Sequence, residues 1–221
     1  MKSERIPVKS FSADNGFIGK MQKLVREEVL PYQYNILNDA IPGIEKSHAI
    51  ENIRLAAEKL RGKDVKPDEF YGMVFQDSDV AKWIEAAAYA LAAGEDPELE
   101  KAVDETIQLY GASQHEDGYV DSYFTVKCPD KMWTNICDAH ELYCAGHMME
   151  AAVAYYEVTG KRELLDIMSK SADCIYEQFM KKNTRAYPGH PEVELALMRL
   201  WRATGNEKYN CLLYTSDAAD E

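Results

Sequence analysis

Three stretches, YALAAGEDPELEKAVDE, YYEVTGKRELLDIMSK and LWRATGNEKYN, share one pattern: an apolar helix-forming segment stops at a glycine and a second segment starts within a few residues. Glycine takes the left-handed turn that closes a helix at the least steric cost, so Gly94, Gly160 and Gly205 mark the bends of helical hairpins. Apolar residues recur at three- and four-residue intervals, as at Val80, Trp83, Ile84, Ala87 and Leu91, or Leu195, Met198 and Trp201. No stretch alternates as a half-buried strand does. The chain therefore reads as all-α. Hairpins joined by unequal connections stack into a solenoid or a closed toroid rather than a four-helix bundle.

Upstream, FIGKMQKLVREEVLPYQYNILND reads as a helix broken at Pro31, and NIRLAAEKLRG as a shorter helix ending at Gly62. The final stretch, CLLYTSDAADE, abandons the pattern where a returning helix is starting, and resembles strings found at the ragged ends of translated reads. Residues 211–221 are accordingly expected to be a non-native tail on a domain cut near Asn210.

The 221 residues, 46% of them hydrophobic, suffice for a sizeable core. A formal charge of −13 repels phosphate backbones and anionic lipid surfaces, so neither nucleic acid nor membrane is an expected partner. MKSERIPVKS lacks the apolar core of a signal peptide, and AAAYALAA is too short to span a bilayer. A cytoplasmic protein is expected. Its five cysteines form no metal-hairpin spacing and are expected to be reduced.

If each hairpin sends its first helix away from one rim and its second back, helix starts and long returning loops gather at that rim. Two histidine clusters, DAHELYCAGH and PGHPEVELAL, open helices there, and QDSDVAKWIE opens a third. Asp138 with Glu141 suggests a capping box that puts His140 in a first turn, and Pro191 at the first helical position puts His190 in the equivalent place. Asp77 or Ser78 is expected to cap the third helix, with Asp79 complementing its positive end. The loop from about Gly111 to Cys137 adds Tyr, Asp, His and Trp, residues suited to sugar stacking and hydroxyl recognition. Trp133 is its stacking candidate, whereas Trp83 and Trp201 fall on apolar helical stripes and read as core.

Cys137, His140, Cys144 and His147 are spaced as one helix face, but a rise of about 1.5 Å per residue separates the ends by roughly 15 Å, too far for one ion. At most His140 and Cys144 share a metal, the basis of a metal-dependent regulator reading. Asp77, Asp79, Glu141, Glu192 and Glu194 offer carboxylates for glycoside hydrolysis, yet helix starts already favour the negative charge of Asp77, Glu141 and Glu192, and spacing names no catalytic pair. Glycine-rich phosphate loops, HExxH, GxSxG and paired CxxC motifs are all missing from the sequence. The alternative class is a non-catalytic helical-repeat scaffold binding a protein on its concave face.

Taken together, FQDSDVAKWIEAAAYAL, QHEDGYVDSYF, HELYCAGHMMEAAVAYYEVTGKRELLD, PGHPEVELALMRLWRATG and, upstream, LPYQYNILND resemble the β-L-arabinofuranosidases of glycoside hydrolase family 127. The resemblance implies an incomplete (α/α)6 toroid, with residues 1–210 forming the N-terminal part of its catalytic domain. It implies retaining hydrolysis of terminal arabinofuranose in glycans, with a zinc-bound cysteine as nucleophile and a glutamate as acid and base on later segments. None of the five cysteines here matches those zinc ligands, so neither a catalytic residue nor a metal is expected in this stretch. By motif position His140 and His190 are the residues that grip sugar hydroxyls; Asp79, from its place at a helix start, and Trp133, from its place in the loop, complete the expected binding set.

Overall fold

The computed structural model describes residues 6–10, 13, 16–182 and 186–216, with side chains characterised as far as Leu212. Three hairpins occur where glycines bend the chain: α4 (Asp77–Ala93) with α5 (Pro97–Ala112), α7 (Glu141–Thr159) with α8 (Glu163–Tyr176), and α9 (Glu192–Thr204) with α10 (Glu207–Ser216). Gly160 and Gly205 close α7 and α9 with φ of 78° and 71°, the left-handed stop that glycine favours. Gly94 ends α4 in extended backbone instead, and the Asp96 carboxylate restarts the chain by accepting the Leu99 amide at 3.1 Å.

The first helices of the hairpins, α4, α7 and α9, pack side by side in one row, and α5, α8 and α10 form a second row behind them. This double layer is an arc of an α/α toroid. Helix α7 is sandwiched between its neighbours, and Leu142, Met148, Met149, Val153 and Tyr155 are all buried. At Gly146 an added Cβ would stand 2.9 Å from the Val193 nitrogen, so the missing side chain lets α7 and α9 meet almost backbone to backbone. Ahead of the hairpins, α3 (Ala49–Leu60) packs on α4, α5 and the short α6 (Ser122–Val126). Trp83 is core, donating to the Leu30 carbonyl at 3.1 Å, and half-buried Trp201 packs at the core's edge.

Pro31 does not break its helix. Helix α1 (Gly16–Leu24) widens into a π turn over Val25–Val29 and runs on as α2 (Leu30–Leu37). The Leu30 amide bonds five residues back to the Val25 carbonyl, and the wider turn accommodates the ring directly after it. Helix α10 runs from Glu207 to Ser216. It carries on through Cys211, and Leu212 joins Tyr209 in the core because the two lie three residues apart on one face. Residues 217–221 of the expected tail lie outside the described residues.

Candidate sugar-binding site

The starts of α4, α7 and α9 converge. His140 is the residue before α7, at φ 63° and ψ 12°, a left-handed conformation that costs a non-glycine residue about 1–3 kcal/mol. Its carbonyl accepts the Cys144 amide at 2.9 Å, and its ring Nδ1 lies 2.6 Å from the Asp138 carbonyl oxygen. A carbonyl only accepts, so Nδ1 carries a proton and Nε2 is the ring nitrogen left for another partner.

His190 reaches this place through its predecessor. The Gly189 amide donates to the Cys137 carbonyl at 3.1 Å, and a Cβ on Gly189 would come within 2.4 Å of that oxygen. Glycine alone allows the two loops to touch, and the His190 ring then lies 5.2 Å from that of His140. Tyr143, one turn into α7, lies 5.6 Å from His140 and 5.2 Å from His190. Lys82 of α4 donates to the Tyr143 hydroxyl at 3.0 Å and to Ser78 Oγ at 3.1 Å. Phe75 approaches His140 at 5.3 Å. Polar ring nitrogens, a phenol and an ammonium thus share a partly apolar rim, a surface able to bind hydroxyls while packing on C–H groups.

Deeper along the inner row, His147 faces Glu192 at 3.3 Å. Burial pushes the His147 ring down to about 4, with Lys82 adding to that and Glu85 opposing it. Beyond it, Arg199 holds Glu85 at 3.1 Å, Tyr89 at 3.1 Å and Glu150.

The expected caps are absent, for tertiary reasons. Asp138 exchanges hydrogen bonds with Asn135, and no capping box forms at α7. The Glu141 carboxylate is turned inward, accepting the Tyr119 hydroxyl at 2.6 Å and the Trp133 amide at 3.0 and 3.1 Å. Pro191 precedes α9, which starts at Glu192, and Gln76 precedes α4. Asp77 is buried and accepts both the amide, at 2.8 Å, and the hydroxyl of Ser122. Burial raises Asp77 and Glu141 above the usual carboxylate range, against those hydrogen bonds.

Of the expected binding residues, His140 and His190 are brought together. Asp79 is exposed on the first turn of α4; burial of its surroundings raises its carboxyl, while Lys82 pulls it down. Trp133 packs inward, edge-on to Tyr119 at 5.0 Å and Phe179 at 5.9 Å, and the aromatic ring against His140 is Phe75. Sequence reading missed Phe75, Tyr143 and Lys82, which look like ordinary turn and helix residues until three helix starts are superposed. It also missed His48, which precedes α3 in the same left-handed conformation as His140 and is fixed by Asp39 at 2.6 Å.

The zinc implied for the family finds no ligand set here. Among the described residues no group of three or more His, Cys, Asp or Glu side chains converges as one ion requires. Cys144 is buried in the core, its thiol pushed well up by burial.

The catalytic-domain description of the GH127 β-L-arabinofuranosidases matches residues 12–213. A non-reducing end β-L-arabinofuranosidase of Bifidobacterium longum subsp. longum is 41% identical over 203 residues, which cover 83% of this chain and 30% of that protein. The crystal structure of a GH127 β-L-arabinofuranosidase from Geobacillus stearothermophilus T6 superposes with a TM-score of 0.85 at 52% identity, covering 91% of this chain and 31% of the other. A second solved structure, a GH127 β-arabinofuranosidase, gives 0.83 at 30% identity, covering 96% and 33%. The chain thus spans about a third of the length of these relatives. With its histidine pair set at the mouth of an α/α arc and the family description matched along nearly its whole length, the chain belongs to the β-L-arabinofuranosidase family GH127.

Proposed function

We propose that this chain is the sugar-gripping part of a retaining β-L-arabinofuranosidase acting on arabinofuranosyl glycans, with the nucleophile and the acid/base supplied by the portion of the relatives it does not span. The observation that carries the reading is the His140–His190 ring pair, 5.2 Å apart on helix starts that lie 50 residues apart in sequence. Nε2 of His140 bonds a sugar hydroxyl, His190 takes a neighbouring one, and Tyr143, oriented by Lys82, flanks both. Asp79 offers a further hydroxyl partner at the same helix starts, and Trp133 contributes by holding the loop in front of α7. A cytoplasmic location belongs to the proposal, supported by five cysteines that are all free. No helix among the described residues is long and apolar enough to cross a membrane.

The test is ligand-observed NMR titration of this chain with methyl β-L-arabinofuranoside. Saturable binding is expected, weakened in His140→Ala and in His190→Ala, with no turnover of an aryl β-L-arabinofuranoside by the same protein. Binding that survives both substitutions, or efficient turnover, overturns the reading.

A further inference from the structure

The loop between α3 and α4 displays Tyr71, Met73 and Phe75 at 44%, 61% and 36% exposure. Exposed apolar side chains are common on loops, but this loop is tied at several points. Asn52 of α3, fully buried, donates Nδ2 to the Tyr71 carbonyl at 2.7 Å and accepts the Tyr71 amide at 3.2 Å. The Tyr71 hydroxyl donates to Glu45 at 2.8 Å. Gln76 accepts the Met73 amide at 3.0 Å and donates to the Ser47 carbonyl at 2.9 Å, gripping the loop on both sides of Phe75. A buried side chain devoted to the backbone of an exposed loop fixes that loop's shape rather than filling a core.

The ring held in this way contacts His140, whereas Tyr143 contacts both histidines. Phe75 therefore brings an exposed ring of this loop against His140, beside the pair assigned above to the terminal sugar. It has no hydrogen-bonding atom of its own, and its flat apolar face suits the C–H face of a second sugar ring, where water would otherwise be held against phenyl. We infer that Phe75 is the platform for the saccharide unit to which the terminal sugar is linked, and so a specificity-determining residue for what lies on the far side of the scissile bond. This rests on the sugar-site reading above.

The experiment compares two probes on the 221-residue chain by ligand-observed NMR titration: methyl β-L-arabinofuranoside, with one ring, and a β-linked arabinofuranosyl disaccharide, with two. The disaccharide is expected to bind about 5-fold tighter, a margin of about 1 kcal/mol. Phe75→Ala removes that margin, so the ratio of the two affinities falls to about 1 whatever the one-ring affinity becomes. Phe75→Leu, which keeps apolar volume without a flat face, loses the margin too, and Phe75→Tyr retains it. Equal binding of the two probes by the unaltered chain overturns the platform, as does an equal loss on both probes in a Phe75 variant whose thermal unfolding matches the parent. A Phe75→Leu variant that keeps the full margin overturns stacking as its basis. Absence of binding by the one-ring probe is a failure of the sugar site itself, and removes both readings together.

Discussion

A single missing methyl group decides whether the two histidines meet. Any side chain at Gly189 collides with the Cys137 carbonyl 2.4 Å away, and neither loop backbone has a flexible end to yield. Gly189→Ala should lower stability by about 1–3 kcal/mol through overpacking and should weaken sugar binding as much as His190→Ala does. Chemical denaturation beside the NMR titration checks both, and an alanine variant that binds normally would separate His190 from His140. His147 carries a prediction in pH. Its folded-state value, about 4, lies below its ordinary 6.5, so the unfolded chain takes the proton first. Its contribution is complete above about 6.5 and is lost as pH falls toward 4, by about 1–3 kcal/mol. Buried carboxyls such as Asp77 and Glu141 slope the other way, so the measurable quantity is a difference. His147→Gln should gain stability relative to the parent across that window, and parallel pH profiles would refute it. At this scale the sequence displayed the histidines, because polar residues ahead of apolar runs are visible in one dimension. It hid what holds them: Glu141 abandons its local cap for Tyr119 and Trp133, a choice made by packing.

Between elements, most of the site's alignment comes from buried polar ties that join helix starts to distant loops. Asp77, on the first turn of α4, takes both the amide and the hydroxyl of Ser122, which opens α6 45 residues later. Asp77→Ala leaves two buried donors unpaired and should cost about 2–4 kcal/mol, against about 0.5–1.5 kcal/mol for Ser122→Ala, where the amide bond survives. Thermal or urea unfolding of the two variants checks the order, and equal losses would mean that the amide contributes nothing. The helices themselves were legible, since their 3.6-residue periodicity is local, and the bends at Gly160 and Gly205 stand where the glycines do. One break was not: Pro31 sits inside a continuous helical path because a π turn absorbs it. No window of sequence announces that turn, since the Leu30 amide reaches the Val25 carbonyl only where the helix has widened.

For the whole molecule, surface balance sets behaviour in solution. Helix α1 buries none of its residues, and Phe17, Ile18, Met21 and Leu24 stand 75%, 56%, 40% and 46% exposed at helical spacing, while Leu195 of α9 is 56% exposed. An apolar stripe of this kind drives association at roughly 25 cal/mol per Å² of area covered. The net charge of −13 opposes it, since two copies repel over a Debye length of about 10 Å at 0.1 M salt. Repulsion is screened by salt and apolar burial is not, so the competition has a definite sign: added salt should promote self-association of this chain. Light scattering across a salt series should show the mean mass rising with concentration and with ionic strength. The double variant Phe17→Ser with Ile18→Ser should suppress the rise by removing the two most exposed apolar side chains of α1 while disturbing no buried contact. A monomer of constant mass at high salt would mean that α1 covers its own apolar face in solution. Association unchanged in the double variant would move the contact elsewhere, with the inner row around Leu195 as the next surface to alter.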